Sequence, residues 1–242
     1  MKVLYVFPHP DDESFGPAVA ISNQRRNGHE VYLLTLTKGG ATRQRHALGL
    51  SVEEMGEVRY REMQDVARVL DLTEMTVLDL PDSGLKEMDP RDIERVVAEH
   101  IRRIRPDVVV SYPVHGISGF HDHLVMHAIV KRVFVELRDS GEDYLKRLAF
   151  YTLGPANADR AESRFTLNIS KDEEIDCIIR GGEQDFQAFE QALSCYTSYH
   201  QVIDASGVRR IIVNDQYFEI YGERYDPPLQ CLFQGIDEKM AD

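Results

Sequence analysis

Two short β-branched and aromatic runs near the start of the chain, residues 3–7 (VLYVF) and 31–37 (VYLLTLT), constrain the fold most, because each has the length and content of a buried strand. Between them Pro17 suits the first helical position, residues 18–26 are mostly helix-compatible, and Gly28 provides a stop. This is a βαβ unit. The alternation continues with a helical pattern over residues 52–72 and an apolar stretch at 75–80. A helix opened by Asp89-Pro90 then runs through Ile104, followed by a strand at 108–112, a helix at 124–137 and a strand at 148–153. Such a series predicts an α/β, Rossmann-like, doubly wound and mainly parallel sheet. From about residue 164 the pattern changes to FTLNI, a long helix through His200 interrupted at Gly181-Gly182, and strand-like pieces at 210–213 and 217–221. With no Pro/Gly/Ser linker in view, the expectation is a single α/β domain over 1–242, with a core of about 1–155 and a small C-terminal α+β appendage of about 156–242.

Hydrophobic residues make up 43% of the 242, enough for a sizeable core. The formal net charge of −13 repels nucleic-acid backbones and anionic membranes at long range, so neither is an expected partner. The first apolar run stops at Pro8, far short of the ~20 residues a membrane span needs, and it lacks the features of a signal peptide. A cytoplasmic protein is expected. Cys177, Cys195 and Cys231 are isolated in sequence and read as reduced thiols.

Ligands of open α/β sheets bind beyond the carboxyl ends of the strands, and two of the loops there are unusual. The first strand is followed by Pro8-His9-Pro10-Asp11-Asp12-Glu13, and the strand at 108–112 by His115-Gly116-Ile117-Ser118-Gly119-Phe120-His121-Asp122-His123. The expected topology places both around one crevice. No GxGxxG or GxxxxGK[ST] loop is present, and three carboxylates stand where a pyrophosphate needs bare N–H groups, which disfavours a nucleotide-binding enzyme. Imidazole and carboxylate together suit a divalent metal. Acids at a helix N-terminus, favoured by the macrodipole, are the plainer alternative for the first loop, and helix capping is the plainer alternative for the second. His123 and His127 are four apart as in a zincin, but Leu124 holds the place of the zincin glutamate.

PHPDDE at the end of the first strand, with HDH opening a later helix, resembles the LmbE-like or PIG-L family of zinc-dependent N-acetylglucosamine-type deacetylases. Thr37-Lys38-Gly39, Arg59-x-x-Glu62 and Asp82-Ser83-Gly84 agree with it, and the likeness runs over residues 2–137 with a weaker echo at 192–198. The resemblance implies that His9, Asp12 and His123 hold zinc, or another divalent metal in its place. It also implies that Asp11 is the general base toward zinc-bound water, and that Asp82 and Arg59 contact the substrate. A small N-acetylated amino sugar or glucosamine conjugate is then the expected substrate, losing its acetyl group, and a homo-oligomer the expected assembly. The physical logic agrees, since three protein ligands leave a position open for water and a neighbouring carboxylate removes its proton.

One departure stands out. Phe120 occupies the position where the family motif carries a histidine that stabilises the tetrahedral oxyanion. His121, supported by Asp122, is the favoured replacement, and His115 the other, with Gly116 and Gly119 giving that segment freedom to fold back. The basic loop at 37–46, with Lys38, Arg43 and Arg45, is a candidate receiver for a hydroxyl-rich or anionic part of the substrate. Loss of the motif histidine also leaves a rival function, a catalytically weak or inactive zinc-containing carbohydrate-binding protein.

Overall fold

The computed structural model describes residues 1–158, 160 and 167–236. In chain order the elements are β1 (Lys2–Phe7), α1 (Asp12–Phe15), α2 (Ala18–Arg26), β2 (Glu30–Thr35), α3 (Gln44–Leu48), α4 (Val52–Val69), β3 (Glu74–Val77), α5 (Pro90–Ile104), β4 (Val108–Ser111), α6 (His121–Asp139), β5 (Arg147–Thr152), α7 (Pro155–Ala158), β6 (Cys177–Arg180), α8 (Glu183–Cys195), α9 (His200–Ser206), α10 (Val208–Ile211) and β7 (Asp215–Ile220). The seven strands form one sheet in the order β3-β2-β1-β4-β5-β7-β6. The first five are parallel, β7 runs antiparallel to β5, and β6 runs antiparallel to β7. This is the expected doubly wound, mainly parallel α/β sheet.

Alternation along β1 divides the core. Val3, Tyr5 and Phe7 face the layer that contains α2, α4 and α8, whereas Leu4 and Val6 face the layer of α5 and α6. Helix starts follow local chemistry. Ser51 accepts from the Glu54 N–H at 3.1 Å while the Glu54 carboxylate accepts from the Ser51 N–H at 2.8 Å, a capping box at α4. Asp89 accepts from the Arg91 N–H at 3.0 Å ahead of Pro90 at the first position of α5, whose buried Ile93, Val97, Ile101 and Ile104 form one stripe.

The structure differs from the sequence reading mainly in the C-terminal third. Residues 177–180 form a strand, β6, instead of part of a long helix; Cys177 and Ile179 alternate inward, and the helix begins only at Glu183. Residues 210–213 are not a strand. Val208, Ile211 and Ile212 bury one helical face from α10, and this tertiary burial overrides the β-propensity of the Ile-Ile-Val run. Leu167–Ile169 are irregular, and the rest of the expected FTLNI strand, Phe165 and Thr166, lies outside the described residues. Because β7 pairs with β5 and β6 pairs with β7, these strands continue the sheet and are not an appendage on its surface. No helix among the described residues is long and apolar enough to cross a membrane.

Candidate metal centre and cavity

β1 and β4 are neighbours in the sheet, so the loops at their carboxyl ends face each other at the switch point of the strand order. The second loop is shorter than expected, because α6 begins at His121 and carries His121, Asp122 and His123 on its first turn. An acidic residue there is stabilised by the helix dipole.

Asp12 is the centre of the cluster. Its Oδ1 accepts from the Tyr112 hydroxyl at 2.7 Å and lies 3.3 Å from His123 Nε2, and its Oδ2 accepts from the His9 N–H at 2.8 Å and lies 3.6 Å from His9 Nδ1. The outward nitrogen of each imidazole is tied elsewhere. His9 Nε2 meets Asp122 Oδ2 at 3.1 Å and Asp82 Oδ1 at 3.4 Å, while His123 Nδ1 meets the Gly116 carbonyl oxygen at 2.9 Å. With those nitrogens donating, the inward ones, His9 Nδ1 and His123 Nε2, carry lone pairs beside Asp12. That is the donor arrangement a divalent cation requires, and ligand atoms of His9, Asp12 and His123 all lie within 4.8 Å of one another. Burial opposes ionisation of Asp12, yet the positive charge that His123 carries when its inner nitrogen is protonated holds the carboxyl below the usual range.

Asp11 is built differently. Its backbone is left-handed, with φ of 83°, a conformation that aspartate tolerates better than most residues but that needs support. The support comes from the buried Arg59, which donates to Pro10 O at 2.7 Å, Asp11 Oδ2 at 2.6 Å and Gly39 O at 3.0 Å. Gly39 has to be glycine, with φ of 65° and only 2.3 Å between an added Cβ and Arg59 Nη1. The Asp11 N–H donates to the Tyr196 hydroxyl oxygen at 2.8 Å, and Tyr196 donates to Glu13 Oε1 at 2.7 Å. Burial pushes the Asp11 carboxyl up to about 6, against the pull of Arg59.

Other expected residues take different places. Asp82 lines the cavity and accepts from the Ala41 N–H at 2.7 Å. Asp122 supports His9 and accepts from the Ser83 N–H at 2.9 Å, so it does not serve His121. His121 is exposed and pairs with Lys86 at 3.5 Å. His115 is turned to Ser170 at 3.3 Å, with its other nitrogen accepting from the Ile117 N–H. Neither histidine is among the residues lining the cavity, because the helix start fixes His121 on the outer face of α6. Phe120 does line it, edge-on to His123 at 5.6 Å between ring centroids. Of the basic loop, Arg43 reaches the cavity and Lys38 pairs with Glu57 at 2.6 Å.

Sequence reasoning missed the contribution of the C-terminal half. Buried Glu62, three residues after Arg59 on α4, accepts from Thr197 Oγ1 at 2.8 Å and from the Ser198 N–H and Oγ at 2.7 Å each. This anchor brings Tyr196 to Asp11 and places the Tyr199 ring 4.1 Å from the Arg59 guanidinium. The Arg59-x-x-Glu62 spacing was the available signal for it.

The cluster lies in a cavity of about 820 Å³. The profile of the family described as PIG-L, GlcNAc-PI de-N-acetylase, matches residues 4–134, and these include every residue of the cluster. The chain belongs to the PIG-L family. A 1D-myo-inositol 2-acetamido-2-deoxy-alpha-D-glucopyranoside deacetylase of Thermomonospora curvata is 29% identical over 152 residues, 54% of this chain and 51% of that protein. The match thus spans about half the length of that curated relative. Among solved structures, an N,N'-diacetylchitobiose deacetylase from Pyrococcus horikoshii superposes with a TM-score of 0.61 at 18% identity, covering 90% of this chain and 83% of the other. A 4-carboxy-2-hydroxymuconate hydratase from Pseudomonas putida gives 0.62 at 15%, covering 93% and 97%. PIG-L-type folds therefore carry more than one reaction, and the chemistry has to be argued from the side chains.

Proposed function

We infer that the protein is a metal-dependent hydrolase that removes the acetyl group from an N-acetylated amino sugar or glucosamine conjugate. The observation that carries this reading is the paired orientation of His9 and His123, each with its outer nitrogen held by an oxygen and its inner nitrogen facing Asp12. Membership of the PIG-L family supports it. His9, Asp12 and His123 are the residues that would hold the metal, zinc by the chemistry of the donor set. Zinc, when bound, polarises the amide carbonyl and makes water a nucleophile near neutral pH.

The chain's own groups do the rest. Arg59 takes Asp11 Oδ2 and leaves Oδ1 as the proton acceptor. Tyr112 and Asp122 hold Asp12 and His9 in place, and Asp82 presents a carboxylate to substrate hydroxyls. Arg59 holds Asp11 and also lines the cavity, so a positioning role toward Asp11 is added to the substrate contact that the family resemblance implies. With Phe120 apolar and with His121 and His115 turned away, no imidazole beyond the ligand pair is assigned to the oxyanion.

The test pairs metal analysis of protein purified without added metal with an acetate-release screen over N-acetyl amino sugars. Near-stoichiometric zinc together with acetate release is expected. Zinc without turnover on every substrate overturns the hydrolase in favour of a zinc-containing carbohydrate-binding protein.

A further inference from the structure

The cavity is much larger than a metal cluster and an acetyl group require, and its two halves differ in chemistry. At about 820 Å³ it is of the size that encloses a whole drug-like molecule. On the side of β2 and β3, the loops after those strands contribute Ala41, Thr42, Arg43, Gln44, Asp82 and Ser83, all but Ala41 polar or charged. On the side of β5, the wall comes from Phe15 of α1, Tyr151 and Leu153 at the end of β5, and Val208, Ile211 and Ile212 at α10. Among the described residues the charged members of the lining are confined to the metal cluster and the polar half. The strand order separates the halves, because β1 and β4, which carry the candidate ligands, lie between β2 and β5. Phe120 adds a further apolar ring at the mouth, 57% exposed, where the family motif has an imidazole.

We propose that the apolar half is an acyl subsite, so that beyond N-acetyl amino sugars the site also hydrolyses, and prefers, an amino sugar N-acylated by a medium-length aliphatic chain. This rests on the hydrolase reading above. If the hydroxyl-rich amine portion lies against Asp82 and Arg43, the carbonyl sits at the metal cluster and its alkyl substituent points to the opposite side, where Leu153, Val208 and Ile211 line the wall. The reaction is a hydrolysis: water adds to the carbonyl carbon, the C–N bond breaks with its electron pair remaining on nitrogen, the amine takes up a proton, and a free alkanoate leaves. No further reactant is needed.

The experiment measures kcat/KM of the zinc-loaded protein for glucosamine carrying acetyl, butanoyl, hexanoyl and octanoyl on nitrogen, and for N-acetylglucosamine bearing an octyl group on the anomeric oxygen. In parallel, calorimetry records the binding of the same compounds to zinc-loaded Asp11→Asn protein. The expected result is a rise of up to about four-fold per added methylene until the cavity is filled, the ~0.8 kcal/mol of a buried methylene. Val208→Gln and Val202→Gln should each flatten that dependence; Val202 of α9 also lines the cavity and, being only half-buried, guards against a folding artefact in the first variant. Turnover in which acetyl is cleaved as well as or better than the longer chains overturns the acyl subsite and leaves the hydrolase reading standing. A gain from the anomeric octyl group alone also overturns it, because the apolar half then takes the aglycone. If no N-acyl compound is cleaved, the hydrolase reading fails, and calorimetry still decides the subsite: tighter binding with chain length supports it, and equal binding overturns it.

Discussion

At the scale of single residues, two adjacent aspartates have opposite surroundings and therefore separate tasks. Asp12 accepts from a phenol between two imidazole nitrogens and its carboxyl is held below the usual range, whereas Asp11, half-buried against one guanidinium, is pushed up to about 6. Asp11→Asn keeps the shape of the side chain, so zinc content should stay near stoichiometric while the acetate-release rate falls about 10²- to 10⁴-fold, as loss of a general base does. Loss of zinc from that variant, with zinc retained in Asp12→Asn, reverses the two assignments. His123→Ala should strip the metal and remove the rise in thermal midpoint that added zinc gives the parent, since a ligand at a hundred times its dissociation constant stabilises by ~2.7 kcal/mol. His121→Ala is expected to retain both zinc and rate, because its ring stands outside with Lys86. A hundred-fold loss in that variant places an imidazole in the cavity that the folded geometry keeps out of it.

At the scale of elements, the first loop is held from α4 and from the turn after α8. Arg59 and Glu62 are both buried and one helical turn apart, so one face of α4 fixes Asp11 directly and fixes Tyr196 through the turn at Thr197–Tyr199. Tyr196→Phe removes a buried hydroxyl that accepts from the Asp11 N–H and donates to Glu13, leaving both without that partner at a cost of about 1–3 kcal/mol. Urea unfolding should show that loss, and kcat should fall with KM little changed, because the effect reaches the base and not the sugar contacts. A parent-like kcat in a destabilised variant assigns Tyr196 to stability alone. Farther from the cluster, Phe189 of α8 is fully buried in the layer with α2 and α4. Phe189→Ala should cost about 3–5 kcal/mol by denaturant midpoint, the value for a large aromatic in a packed core; a cost below 1 kcal/mol is incompatible with α8 as part of that layer.

At the scale of the whole molecule, buried titratable groups make stability depend on pH in opposite directions: Asp11 and Glu13, pushed up to about 6 and about 7, favour the fold as pH falls, whereas His115 and His127 oppose it. Burial pushes the pKa of both His115 and His127 down, and His127 also faces Lys131 while Glu174 pulls His115 the other way. A histidine depressed in the fold binds its proton less readily than in the unfolded chain, so its stabilising contribution is complete above the unfolded value of ~6.5 and is lost as pH falls below it. Relative to the parent, the His115→Gln/His127→Gln double variant should therefore gain in urea midpoint as pH falls from 7 to 5. A difference between variant and parent that stays constant over that range removes the two histidines from the pH dependence.

The sequence alone determined the alternating α/β order, the doubly wound sheet and the pairing of the two loops, because β-branched runs, capping residues and the His-Asp-rich turns act over short range. Residues 18–26 and 90–104 are helices at those bounds. It also marked the departure at Phe120. Tertiary structure decided the rest. Cys177–Arg180 is a strand only because β7 offers a paired edge, and residues 208–211 are helical because Val208, Ile211 and Ile212 have an apolar wall to bury against. The start of α6 at His121 turned Asp122 toward His9 and His121 toward solvent, a rotation that a list of neighbouring residues does not contain. Tyr196 reaches Asp11 across 185 positions of chain, and no local pattern specifies a contact at that separation. Short-range stereochemistry wrote the elements, whereas burial of apolar faces and satisfaction of buried polar groups chose which residues meet.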